Sequence, residues 1–154
     1  MKILMVCLGN ICRSPMAEGI LRRRAQQAGL TITTDSAGTS SNHVGQAPDH
    51  RATQTMRAYG IDITDLRARQ FTASDLDHFD RIFAMDSSNL EDIRELAVND
   101  QQLKKVSLLM DLVPNGPVRN VPDPYYGGQE GFDQVFRMLD QACTVLVEQL
   151  RDRG

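Results

Sequence analysis

The apolar run Ile3-Leu4-Met5-Val6 stops at Cys7, and soon afterwards Ser14-Pro15 opens a stretch with helical spacing. A short run with no polar interruption suits a strand covered on both faces. Pro is favoured at the first helical position, where its missing N–H has no intrahelical partner to lose. The predicted helix begins at Pro15, carries Met16, Ile20 and Leu21 on one side and stops at Gly29. A buried strand feeding a helix through one tight loop is the opening of an α/β sheet, and few other architectures accept it.

The rest of the chain keeps this alternation. Leu30–Asp35 alternates like a strand, while Ala37–Pro48, rich in Gly, Ser, Asn and Pro, reads as a long loop. Asp49 is placed to cap a second helix with Ala52, Met56 and Tyr59 on one face and Gly60 as its stop. Arg81–Met85 and Lys105–Met110 supply two more strands. Between them a helix starts at Asp86 or Ser88, where Ser88-x-x-Glu91 fits a capping box. Val113–Gly128 contains Pro114, Pro117, Pro122 and Pro124 and must be loop, and Phe132 to Leu150 keeps helical spacing. The expectation is one three-layer α/β domain over residues 1–154, a parallel sheet between two layers of helices.

Composition narrows the function. A net charge of −3 offers no electrostatic basis for nucleic acid as the main partner. No apolar run approaches a membrane span, so no membrane insertion is expected. The amino-terminal apolar stretch is too short for an export signal, and three cysteines are an odd number, so reduced thiols in the cytoplasm are expected. Arg outnumbers Lys fourteen to three, and Arg is the residue that grips oxyanions with two parallel hydrogen bonds.

Chemistry concentrates in Cys7-Leu8-Gly9-Asn10-Ile11-Cys12-Arg13-Ser14. A loop from the carboxyl end of a strand into a helix is where open α/β sheets bind ligands. Its N–H groups can curl round an anion, and the helix amino terminus adds partial positive charge. Gly9 and Asn10 both tolerate positive φ, which lets the loop fold back. Arg13 can close this cradle, and a Cys7 thiol inside it is pushed toward thiolate, with Ser14 able to donate to the sulfur. The pattern points to a nucleophile facing a bound phosphoryl group. A buried structural thiol is the bland alternative. A metal site lacks further ligands near Cys7 and Cys12, and His43, His50 and His78 have no ligand spacing and read as surface or loop residues. A nucleotide P-loop would need Gly-Lys-Ser/Thr.

Cys7 to Pro15 near the amino terminus, with Asp123-Pro124-Tyr125-Tyr126 late in the chain, resembles the low-molecular-weight protein tyrosine phosphatases. Asp35-Ser36-Ala37-Gly38-Thr39, Ala68-Arg69-Gln70 and Met85-Asp86-x-Ser88-Asn89-Leu90 follow in that family's order. The resemblance implies a four-stranded parallel sheet and a two-step hydrolysis of phosphotyrosine and aryl phosphates through a phosphocysteine, with no metal and no cofactor. It implies Cys7 as nucleophile, Arg13 as phosphate clamp and Asp123 as general acid. Leu8, Gly9, Asn10, Ile11, Cys12 and Ser14 would hold the phosphate. Asn10, Ser14 and Ser36 would brace the loop, and Asn42, Tyr125 and Tyr126 would form the pocket wall. It also implies a reversible Cys7–Cys12 disulfide as a shield against over-oxidation. A phosphotyrosine-containing protein is the expected substrate, with a tyrosine kinase as candidate partner.

The assignment of Asp123 makes physical sense: a departing aryloxide needs a proton, and Pro122 and Pro124 restrict the backbone that carries the carboxyl group. Two positions depart from the family. Asn42 stands where many members have an aromatic residue and Leu66 where many have histidine, so a shallower or more polar pocket mouth is expected. Arsenate reduction would need a relay cysteine, and Cys143, on the apolar stripe of the last helix, is a core residue instead. Phosphoarginine-directed relatives typically carry Thr where this chain has Ile11. A phosphocysteine carrier would not need Arg13 or Asp123 in this arrangement, and a catalytically dead binding module would be expected to have lost Cys7, Arg13 or Asp123.

Overall fold

The structure, a computed structural model, describes residues 1–114, 116, 119–125 and 127–153. Four parallel strands form its centre in the order β2-β1-β3-β4: β1 (Lys2–Cys7), β2 (Thr33–Gly38), β3 (Arg81–Ala84) and β4 (Val106–Leu108). Ile3, Leu4, Met5 and Val6 have no exposed surface, as a strand covered on both faces requires. Ile3, Met5 and Phe83 face α1 (Arg13–Gln27), α2 (His50–Ala58) and the long α6 (Gln129–Arg153). Leu4, Val6, Ile82 and Ala84 face α3 (Asp75–His78) and α4 (Ser87–Glu95). A further short helix, α5 (Asp100–Leu103), precedes β4. The period-two division of each strand between these two clusters is what makes the molecule three-layered.

Several boundaries move for identifiable reasons. The first helix starts at Arg13, so Pro15 sits third in it; any N–H of the first turn lacks an intrahelical acceptor, and Pro costs nothing there. The second strand is Thr33–Gly38 because pairing with β1, Lys2 to Thr33 through Cys7 to Gly38, sets its register. Leu30 and Ile32, whose alternation suggested an earlier start, pack on the core as flanking residues. The fourth strand ends at Leu108, and Leu109–Leu112 winds into a 3₁₀ turn. Asp49 caps α2 by accepting the Arg51 N–H, and Gly60 follows it at φ 80°. The Ser88 capping box does not form; Asp86 caps α4 by accepting the Asn89 N–H. Among the described residues no helix is long and apolar enough to cross a membrane.

β1 has β2 on one side and β3 on the other, so the chain's direction along the sheet reverses beside it. Loops leaving the carboxyl ends of strands at such a switch point enclose a crevice. Cys7 stands at that end of β1.

Candidate active site

Cys7 is still held by the sheet: it pairs with Gly38, and its carbonyl accepts the Thr39 N–H at 2.9 Å. The chain then turns back at Asn10, whose φ of 58° is the one left-handed non-glycine conformation among the described residues. Asn accepts this region because its short amide can bond locally. Gly9 contributes differently from the expectation. It is not among the positive-φ glycines; instead a Cβ at position 9 would lie 2.9 Å from Cδ2 of His43. Gly38 is needed for a similar approach, since a Cβ there would meet the Leu8 carbonyl oxygen at 2.7 Å.

The sulfur of Cys7 lies 3.0 Å from Ser14 Oγ and accepts the Asn10 N–H at 3.3 Å. Behind it, Asn10 Nδ2 donates to Ser14 Oγ at 2.8 Å and to Ser36 Oγ at 3.0 Å, while Asn10 Oδ1 accepts the Arg69 N–H at 3.0 Å. Ser36 Oγ donates in turn to Glu18 Oε1 at 2.7 Å. Asn10, Ser14, Ser36 and Glu18 are all buried. Burial pushes the Glu18 carboxyl up to about 7, with Asp35 and Asp65 adding to the rise and the Ser36 hydrogen bond and Arg22 opposing it.

Arg13, only 3% exposed, donates from Nη1 to Asp86 Oδ2 at 2.6 Å and to the Val121 carbonyl at 3.0 Å. Its Nη2 lies 3.7 Å from Asp123 Oδ2. The Asp86 cap of α4 is therefore also the clamp that aims Arg13. Asp123 is far less enclosed, its side chain 39% exposed, and its Oδ1 accepts the Tyr125 N–H at 3.0 Å. Arg51 ties this segment down from α2, donating to the Tyr125 carbonyl at 2.7 Å and the Gly127 carbonyl at 3.0 Å.

A cavity of about 130 Å³ opens over the loop. Cys7, Leu8, Gly9, Ile11, Cys12 and Arg13 form its floor and sides, with Asp123, Tyr125 and Asn42 around the rim. Asn10, Ser14 and Ser36 brace the loop from beneath. Tyr126 lies outside the described residues. His43, expected to be a bland loop residue, is a wall residue: it lines the cavity, its ring lies 6.3 Å from that of Tyr125, and its Nδ1 pairs with Gln46 Oε1 at 3.0 Å. His50 opens α2 and His78 closes α3, both exposed. Cys12 occupies the N-cap position of α1, and burial, joined by the negative charge of Asp49, pushes its thiol well above the usual range. Cys143 is fully buried against α1, where its Sγ faces the Ala17 carbonyl. Among the described residues no group of three or more His, Cys, Asp or Glu is placed to hold a metal.

Sequence reasoning passed over Asp86, Glu18, His43 and Arg51. For Glu18 a signal existed: Ser14 and Glu18 are four apart on one helix and so share a face. For the others the partners lie far away in the chain, as with Arg13 and Asp86, 73 residues apart.

A cavity lined by a strand-to-helix loop and one guanidinium suits a tetrahedral oxyanion. Residues 2–154 match the family model described as low molecular weight phosphotyrosine protein phosphatase. The chain belongs to that family. This low molecular weight phosphatase is a hydrolase that acts on phosphotyrosine. A relative from Bacillus subtilis, carrying the name low molecular weight protein-tyrosine-phosphatase, is 40% identical over 97% of this chain and 95% of its own. A solved protein tyrosine phosphatase from Entamoeba histolytica superposes with a TM-score of 0.94 at 38% identity, covering 99% of this chain and 98% of that one. A Drosophila arginine phosphatase superposes at 0.92 with 34% identity, over 98% of each chain.

Proposed function

We propose that this phosphatase hydrolyses phosphotyrosine in proteins by covalent catalysis on Cys7. The Cys7 thiolate attacks phosphorus in line with the tyrosyl oxygen. An S–P bond forms, the P–O bond to tyrosine breaks, and Asp123 gives its proton to the departing oxygen. Asp123, now a carboxylate, takes a proton from water as that water attacks the phosphocysteine. Phosphate leaves, and the thiolate and the acid are restored. Arg13 and the loop N–H groups hold the equatorial oxygens, whose charge they are arranged to meet in the transition state. Residues 1–154 serve as one catalytic unit for a phosphotyrosine-bearing protein, with a tyrosine kinase acting in opposition, and the chemistry calls for no metal.

The observation that carries this reading is the Cys7 sulfur, held by Ser14 and Asn10 on the floor of a cavity that also contains Arg13 and Asp123. Quenching the wild-type reaction on an aryl phosphate and mapping the adduct is the test. Phosphate is expected on Cys7, and Cys7→Ser should lose turnover while still binding phosphate. Turnover that survives Cys7→Ser would overturn the mechanism.

Likeness to an arginine phosphatase makes phosphoarginine the competing substrate. Ile11, apolar and on the cavity wall, favours an aryl group there. Matched phosphotyrosine and phosphoarginine peptides separate the two, and a preference for the second would reassign the substrate without touching Cys7.

A further inference from the structure

A second and larger cavity, of about 430 Å³, opens between α1, the carboxyl end of α2 and α6. Among the described residues it shares no lining residue with the cavity over Cys7. Cys12 caps the amino end of α1, whereas Arg24 of the second cavity lies twelve positions further along. At the rise of an α-helix that is about 18 Å.

One wall of this cavity is aromatic. The rings of Tyr59 and Phe136 are stacked, with centroids 3.7 Å apart and planes within 9°. Phe136 is buried and covers one face of Tyr59, yet Tyr59 remains 45% exposed. The apolar side of α2 therefore divides: Ala52 and Met56 are fully buried, while Tyr59 turns its ring to the cavity. Around that ring stand three guanidiniums and one carboxylate. Arg24 is spent on Asp140, gripping it from Nε at 2.9 Å and Nη2 at 2.8 Å. Arg23 gives Nη1 to the Gly60 carbonyl at 2.7 Å and keeps its other donors. Arg137 makes no hydrogen bond or ion pair among the described residues. In a chain of net charge −3, two guanidiniums with no carboxylate of their own at one cavity are a local excess that the fold does not use.

We propose that this cavity binds a small aromatic anion, a flat ring carrying a carboxylate, sulfonate or phosphate group. The ring lies against Tyr59, and the anion meets Arg137 and Arg23, whose planar forks match oxyanions and stack on aromatic faces. The volume falls in the range of small-molecule pockets, about 300–1,000 Å³, and suits one compact ligand.

The test is an amide-resolved NMR titration of the chain with naphthalene-2-sulfonate. The amides of Arg23, Tyr59 and Arg137 should shift together on one saturating isotherm, distinct from any followed by residues 7–14. Arg137→Gln, a change at an exposed side chain, should weaken that isotherm about tenfold. Tyr59→Ala should weaken it about fivefold, and Tyr59→Leu repeats the measurement should Tyr59→Ala not fold. 2-Naphthol, the ring without the charge, and inorganic sulfate, the charge without the ring, should each bind there at least about tenfold more weakly. The proposal is overturned if the three amides do not saturate, if the Arg137 and Tyr59 variants bind as the wild type does, or if either half of the probe matches the whole. It is overturned too if a short acidic peptide with one tryptophan binds there more tightly than naphthalene-2-sulfonate, which would assign the cavity to a protein segment. None of these outcomes touches the Cys7 mechanism, and failure of that mechanism leaves this site standing.

Discussion

The two halves of the site are held in place by opposite means. The loop from Cys7 to Ser14 is fixed from within by a strand ladder and the buried side chains of Asn10, Ser14 and Ser36. The segment carrying Asp123 is fixed from outside, by arginines that reach across to its carbonyls: Arg13 to Val121, and Arg51 to Tyr125 and Gly127. In the proposed mechanism the difference follows from the two tasks. A nucleophile and its oxyanion donors gain from having no freedom, because every degree of misalignment weakens interactions made in the transition state. An acid that must meet a leaving group, then a water, stays at the rim where both can reach it. Partial exposure at Asp123 and near-complete burial at Arg13 express that division.

The sharpest way to break the comparison is at Asp123. Asp123→Ala should slow poor leaving groups by about 10²–10⁴-fold and good ones far less, read from kcat over a series of aryl phosphates. Equal losses across the series would remove Asp123 from the acid role. On the inner half, Asn10→Ala removes three hydrogen bonds and forces Ala into a left-handed conformation. A stability loss of about 3–5 kcal/mol in chemical denaturation is expected.

Glu18 gives the inner half a pH signature. Its folded value of about 7 lies above the ordinary 4.5, so the folded chain holds that proton more tightly than the unfolded chain does. The resulting stabilisation is complete below about pH 4.5 and disappears as pH rises through 7. Glu18→Gln should therefore cancel roughly 2–3 kcal/mol of the stability that the wild type loses between about pH 5 and pH 8. Parallel curves for the two proteins would refute it.

The outer half should respond more mildly. Arg51→Met releases two carbonyls and is expected to lower kcat on poor leaving groups by up to about tenfold with little change in melting temperature. Smallest of all is Asn42→Trp at the mouth, expected to lower KM for aryl and peptide substrates by a few-fold through ring contact, roughly 0.5–1 kcal/mol. An unchanged KM would show that the mouth is set by His43 and Tyr125 alone.

This same division decided what could be read from the sequence. The inner half was legible because its constraints are local: an apolar run, an Asn where the backbone turns, a Pro in the first helical turn. Ser14 beside the Cys7 sulfur followed from that spacing. β2 was misplaced because its limits come from pairing with β1, and alternation in Leu30–Asp35 carries no information about register. The four-residue helices α3 and α5 are too short to show a period. Asp86 was legible as a cap but not as the anchor of Arg13, since one oxygen serves the neighbouring backbone and the other a side chain remote in the chain. His43 belongs to the wall only because Gly9 leaves room for its ring. No spacing rule contains that fact.

β1 is flanked by strands on both sides, so the thiol hangs from the part of the molecule that opens last when the fold breathes. A reagent cannot wait for a local fluctuation to bring the sulfur out. It has to enter through the cavity of about 130 Å³ that Asn42, His43 and Tyr125 help to line, and covalent inhibitors will be sorted by girth there before their intrinsic reactivity counts.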